Sequence, residues 1–97
     1  MIIDKYNFYI GSNNKTKKRE IKKAINTLNK LNILGFNINK NLFGFWDNMQ
    51  EKSFNIEILN TKEINFNDNK ARDLKQLLEN NLKQFLVLTT KQQIEIL

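Results

Sequence analysis

The sequence predicts an α+β domain in which two helices cover one face of an antiparallel sheet. Three observations carry that expectation. Two stretches, 21–31 and 71–82, space their apolar residues three and four apart, the period of a helix with one buried side. Two others, 6–10 and 54–58, alternate along the chain as half-buried strands do. The elements marked in this way follow the order β-α-β-β-α-β.

Tyr6-Asn7-Phe8-Tyr9-Ile10 reads as the first strand, with Tyr6, Phe8 and Ile10 on one face and Tyr9 on the other. Gly11 and the polar run Ser12-Asn13-Asn14 end it. A helix starts near Thr16, capped by a Ser, Asn or Thr of the Ser12–Thr16 segment. Its buried stripe is Ile21, Ala24, Ile25, Leu28 and Leu31, and Gly35 is placed to close it as the C′ residue. Phe36 and Ile38 open a second strand that bends and runs through Leu42-Phe43-Gly44-Phe45-Trp46, with Asp47–Glu51 as the following turn. Ser53 to Leu59 is the clearest strand, since Phe54, Ile56 and Ile58 alternate with Asn55 and Glu57. A loop carrying Ile64 and Phe66 leads to Asn67 or Asp68 as helix cap, and Ala71, Leu74, Leu77, Leu78 and Leu82 form the second apolar stripe. Phe85-Leu86-Val87-Leu88-Thr89 reads as a buried strand, and Ile94-Glu95-Ile96-Leu97 is patterned to extend the sheet further. Two split βαβ units of this order make a ferredoxin-like domain over residues 1–97. That architecture serves many functions and decides none of them.

Composition narrows the chemistry. The chain has 97 residues, 40% hydrophobic and 27% charged, with no Cys, no Pro and no His. Lacking Cys, it has neither a disulfide framework nor a thiolate metal site. Lacking His, it has neither the commonest general base nor the commonest transition-metal ligand. No apolar run approaches the roughly 18 residues that a spanning helix needs. Met1-Ile2-Ile3-Asp4 does not begin a signal peptide, so a cytoplasmic location is expected. No cofactor or metal is expected.

The net charge is +6, and all of it lies in one half of the chain. Residues 1–48 hold nine basic residues against Asp4, Glu20 and Asp47; residues 49–97 hold seven of each sign. The densest part is Lys15, Lys17, Lys18, Arg19, Lys22 and Lys23. AT-rich codons favour Lys, Asn and Ile and account for a high Lys count, but they account less well for clustering. A concentrated positive field favours anionic partners: nucleic acid, a nucleotide, a phosphorylated metabolite or an acidic protein surface.

The first candidate site is therefore the strand-to-helix junction Gly11, Ser12, Asn13, Asn14, Lys15, Thr16, Lys17, Lys18 and Arg19. A helix N-terminus carries partial positive charge, so cations in its first turn cost roughly 0.3–1 kcal/mol each. Such a cost is accepted on a solvated face or where something negative binds. Gly11 would let the backbone approach an anion, and the hydroxyls and amides nearby would orient it. The stretch is not a nucleotide-binding P-loop: Tyr9 stands where the first Gly belongs, and Asn14 precedes Lys15-Thr16. The second candidate is aromatic. Trp46, beside Lys52, or Tyr9 could stack on a base at roughly 1–3 kcal/mol, while closing the core where the sheet bends is the plainer role for Phe43, Phe45 and Trp46. A third candidate, Asp47, Glu51 and Glu57 gathered around Mg²⁺, needs the central hairpin to bring them together. Ordinary solvated charges explain these residues as well.

The first strand ends in an aromatic-x-Gly step, Tyr9-Ile10-Gly11. A glycine-aromatic turn, Gly44-Phe45-Trp46, precedes a strand led by Glu-x-Ser, Glu51-Lys52-Ser53-Phe54-Asn55-Ile56-Glu57-Ile58-Leu59. In these features the chain resembles an uncharacterised βαββαβ family of small phage and bacterial proteins, and the resemblance implies the same fold. In size and style it is also similar to phage counter-defence proteins. That likeness implies either an anti-CRISPR-like inhibitor or a sponge for a nucleotide signal, and it transfers no functional residue.

The expected function is thus non-enzymatic binding of an anionic, nucleotide-type ligand. Lys15, Lys17, Lys18 and Arg19 would meet phosphates, Ser12, Asn13, Asn14 and Thr16 would orient them, and Trp46 or Tyr9 would stack on a base. A homodimer or larger homo-oligomer is expected, because a short chain encloses a ligand better between copies. The alternative is an inhibitor of a host nucleic-acid-binding effector, or a nucleic-acid-binding module, acting through the basic first helix. An enzyme is the third possibility, without a recognisable nucleophile or base.

Overall fold

The computed structural model describes residues 1–12, 16–46, 49–61 and 63–97, with the side chains of 41–52 outside the description. The elements are β1 (Ile2–Gly11), α1 (Lys17–Lys30), β2 (Asn37–Trp46), β3 (Met49–Leu59), α2 (Asp68–Asn81) and β4 (Leu88–Glu95). The strands form one sheet in the order β2-β3-β1-β4, every neighbouring pair antiparallel. This is the expected ferredoxin-like α+β arrangement, with both helices contributing to a core on one face of the sheet.

Alternation on the central strands builds that core. Tyr6, Phe8 and Ile10 of β1 pair with Ile58, Ile56 and Phe54 of β3, and all six are buried. Ile21, Ala24 and Leu28 of α1, with Ala71, Leu74 and Leu78 of α2, close over them, as the helical spacing requires. Phe66, from the loop before α2, is fully enclosed and meets Tyr6 edge-on at 4.9 Å between ring centroids. Tyr9, on the opposite face from Tyr6, is half-buried.

Several expected boundaries move. β1 begins at Ile2, four residues before the expected start. Gly35 does not end α1: Leu31 is its C-cap, and Asn32 takes the left-handed conformation at φ 58°. Asn tolerates that conformation because its short amide bonds locally. Gly35 has ordinary φ, and its missing side chain makes room for Ile64, whose Cδ1 would lie 2.6 Å from an added Cβ. Where β2 was expected to bend, the β2–β3 register shifts between Asn39 and Leu42. Met49–Glu51, expected in a turn, belong to β3, while Asp47 and Asn48 lie outside the described residues.

The largest correction is at β4. Phe85–Thr89 is not the strand; pairing with β1 starts at Leu88 and runs to Glu95. Of the apolar run only Val87 is buried, whereas Phe85 is 102% exposed. Nor do Ile94–Leu97 make a further strand among the described residues, since Ile94 and Glu95 complete β4. β4 is an edge strand whose side chains are mostly exposed, so it carries little apolar content.

Candidate functional site

The junction between β1 and α1 can be built from both sides. Gly11 is the last residue of β1; it pairs with Ser53, and its carbonyl accepts a hydrogen bond from Gln84 Nε2 at 3.1 Å. Ser12 is buried, and its hydroxyl has no hydrogen-bond partner among the described residues. A buried hydroxyl left unpaired costs roughly 1–3 kcal/mol, which makes Ser12 an unusual feature of the loop. Asn13, Asn14 and Lys15, all expected at the site, lie outside the described residues.

Thr16 is the residue before α1. Its backbone is helical (φ −108°, ψ −9°) and its side chain makes no capping bond; its hydroxyl donates instead to Glu20 Oε1 at 2.7 Å. Lys17 turns toward the sheet, its Nζ donating to the Lys40 carbonyl at 2.7 Å beside the β2 irregularity. Lys18 and Arg19 are exposed. At about 100° per residue, Lys18 and Lys22 share one flank of α1, while Arg19, Lys23 and Lys30 share another. The cluster is dense in sequence but wraps the helix instead of converging on one point. On the second flank, Lys23 and Lys30 border a shallow groove of about 240 Å³ against α2. There Thr27 donates to the Lys23 carbonyl and accepts from Asn81 Nδ2 at 3.0 Å.

Most cations of α1 lack a counter-charge among the described residues. Among the described residues, none of Lys18, Arg19, Lys22, Lys23 and Lys30 forms an ion pair. Lys5, Lys75 and Lys91 all do, with Glu57 at 3.5 Å, Glu79 at 2.7 Å and Asp68 at 3.0 Å.

The aromatic candidates separate. Tyr9 lies on the sheet face away from the helices and so does not share a surface with the first turn of α1. Trp46 pairs with Met49 at the end of the β2–β3 hairpin. Because the last β1–β3 pair is Gly11 with Ser53, that hairpin continues past β1 as a two-stranded ribbon. The ribbon reaches about 13 Å further, four residues at strand rise. Lys52 is its first residue, next to the junction, and Trp46 is near its tip; both side chains lie outside the description. The carboxylate cluster does not assemble as expected: Glu51 and Glu57 are six residues apart on one strand, about 20 Å, Glu57 pairs with Lys5, and Asp47 is outside the described residues. Among the described residues no group of three or more acidic side chains could hold a metal.

Sequence reasoning identified the apolar stripe of α2 and missed what its polar side organises. The Tyr6 hydroxyl donates to Asp68 Oδ1 at 2.6 Å, and Lys91 Nζ lies 3.0 Å from the same oxygen and 3.8 Å from Asp4 Oδ2. Burial first, and then the Asp68 carboxylate, push the Tyr6 hydroxyl far above its ordinary pKa. The Tyr6 bond, helped by Lys91, holds the Asp68 carboxyl below its usual range, and Asp68 in turn raises Lys91. Glu79 is lowered by Lys75 and by the Val87 N–H, which donates to it at 2.9 Å. The signal for this set was only the Asp68 and Lys91 charges; their meeting required β4 to pair with β1 at the Tyr6–Lys91 position.

Among the described residues no helix is long and apolar enough to cross a membrane. No family model matches the chain, and no curated protein matches it significantly. Among solved structures, the chain is similar to a DUF3240 family protein from Shewanella baltica OS155, with a TM-score of 0.60 and 17% identity. The match covers 96% of this chain and 89% of that one, a likeness of fold.

Proposed function

We propose that this chain is a non-enzymatic binding module for an anionic, nucleotide-type ligand held where β1 passes into α1. The observation that carries the proposal is the run of exposed cations that opens α1, soon after β1 ends at Gly11. Among the described residues Lys18, Arg19 and Lys22 have no counter-charge, and the buried Ser12 hydroxyl has no hydrogen-bond partner. A phosphate would supply the missing counter-charge and would relieve the repulsion between the first-turn cations and the helix dipole. The ribbon beyond β1 borders the same junction and would supply Lys52 and Trp46 to the rest of the ligand.

In this reading the protein acts in the cytoplasm, where nucleotides are present, and sequesters its ligand in the manner of a counter-defence sponge. A homodimer would enclose the ligand from a second side. The test is a thermal-shift screen of mono-, di- and cyclic nucleotides, followed by recovery of the ligand. Stabilisation with intact ligand is the expected result, and Lys18→Glu with Arg19→Glu should weaken binding at least tenfold. Cleaved products would make the protein an enzyme. Absence of any shift, with a nucleic-acid-binding effector or nucleic acid retained instead, would move the basic helix to the inhibitor or nucleic-acid role. Size-exclusion chromatography with light scattering reads the oligomeric state.

A further inference from the structure

A cleft of about 280 Å³ opens between α2 and β4, at the opposite edge of the sheet from β2, which Lys17 of α1 reaches. Tyr6, Asp68, Arg72, Lys75, Thr89 and Lys91 are among its walls. Its volume falls just under the range of about 300–1,000 Å³ typical of drug-sized ligands, so its occupant is small.

The charges on the walls are unequally committed. Lys75 is matched by Glu79, and Lys91 by Asp68 and Asp4. Arg72 has no carboxylate partner among the described residues and makes only a long 3.4 Å contact with Asn69 Oδ1. One guanidinium thus lacks a carboxylate contact among the described residues, which suits a planar monoanion bound bidentately. Asp68 is half-committed in the same sense. Tyr6 and Lys91 both meet its Oδ1, and Oδ2 has no partner among the described residues. That carboxyl stays ionised, its pKa held low by Tyr6 and Lys91. Asp68 and Arg72 are also four residues apart on α2, and so neighbours on one helix face.

We infer that the α2–β4 cleft is a binding site for a small α-amino acid, with the carboxylate on Arg72 and the ammonium on Asp68 Oδ2. The zwitterion fits because the site offers one open cation and one open acceptor a helix turn apart. A hydroxy acid would use the same Arg72 contact but bring a weaker, uncharged donor to Asp68. This site is independent of the β1–α1 junction.

The test is a titration of the ¹⁵N-labelled full chain with each of the common amino acids at millimolar concentration, with acetate, lactate and inorganic phosphate as controls. Saturable shifts in the amides of residues 68–75 and 89–91 are expected for at least one amino acid, and its N-acetyl derivative should bind at least tenfold more weakly. Arg72→Gln, a change at an exposed side chain, should also weaken binding at least tenfold while leaving the remaining spectrum folded. Lys18→Glu with Arg19→Glu should leave it unchanged, which separates this site from the proposed nucleotide site. The inference is overturned if no amino acid shifts these amides, or if acetate, lactate or phosphate binds as well as the best amino acid. It is equally overturned if Arg72→Gln binds with unaltered affinity.

Discussion

Helices α1 and α2 are each 14 residues long and pack on the same face of the sheet, yet they use charge in opposite ways. α1 carries Lys17, Lys18, Arg19, Lys22, Lys23 and Lys30 against the single acid Glu20, whose carboxylate accepts from Thr16. α2 balances Lys70, Arg72 and Lys75 with Asp68, Asp73 and Glu79. Two of those acids are fastened into the fold: Asp68 holds Tyr6 and Lys91, and Glu79 holds Lys75 and the Val87 amide that leads into β4. The difference teaches that two acids of α2 are tied into the fold, whereas the first-turn cations Lys18 and Arg19 of α1 oppose the helix dipole without a counter-charge among the described residues.

The sharpest way to break this contrast is to remove a charge that the fold uses. Glu79→Gln should destabilise the protein by about 2 kcal/mol, the scale of charge-assisted hydrogen bonds, as read from urea denaturation. The pH dependence has a definite sign. Asp68 and Glu79 have folded pKa values below their ordinary ones, so their contribution is present above the usual carboxylate range near pH 4 and lost as pH falls through the lowered values. The acid limb of stability should therefore flatten in Glu79→Gln and flatten further with Asp68→Asn. At the alkaline end the raised Lys91 and Tyr6 act in the other direction. Their contribution is intact below about pH 10 and declines as pH rises toward the folded values. An acid limb unaltered in both variants would contradict the architectural role given to α2.

A smaller effect distinguishes the helix starts. Asn67 caps α2 by accepting from the Lys70 N–H at 2.9 Å, so Asn67→Ala should cost about 1 kcal/mol by the same denaturation measurement. The smallest expected change has the opposite sign. Lys18→Glu with Arg19→Glu places acids in the first turn of α1 and should stabilise the fold by about 0.5 kcal/mol, less in high salt, while impairing ligand binding. A stabilised protein that loses its ligand is the signature of cations kept for function. A destabilised one would mean that α1 also uses them structurally.

The central strands and both apolar stripes were legible because burial imposes a period that local sequence displays. Phe54, Ile56 and Ile58, or Ala71, Leu74 and Leu78, need no knowledge of their partners to be recognised. β4 was misplaced for the converse reason. Phe85-Leu86-Val87-Leu88 looks like a buried strand, but one amide, that of Val87, is drawn to Glu79, and the pairing begins only at Leu88. Gly35 was misread in a similar way: its requirement is space for Ile64, a long-range contact, and Asn32 provides the left-handed residue that ends α1.

By itself the sequence determined the α+β class, the core-facing residues of β1, β3, α1 and α2, and the confinement of excess positive charge to the first half. All of these follow from nearest-neighbour periodicity and composition. Tertiary structure alone decided that Lys17 reaches the Lys40 carbonyl of β2 and that the Ser12 hydroxyl is buried without a partner among the described residues. It also brought Tyr6, Asp68 and Lys91 together from β1, α2 and β4. Such meetings depend on strand order and register, which place residues far apart in the chain within hydrogen-bond distance.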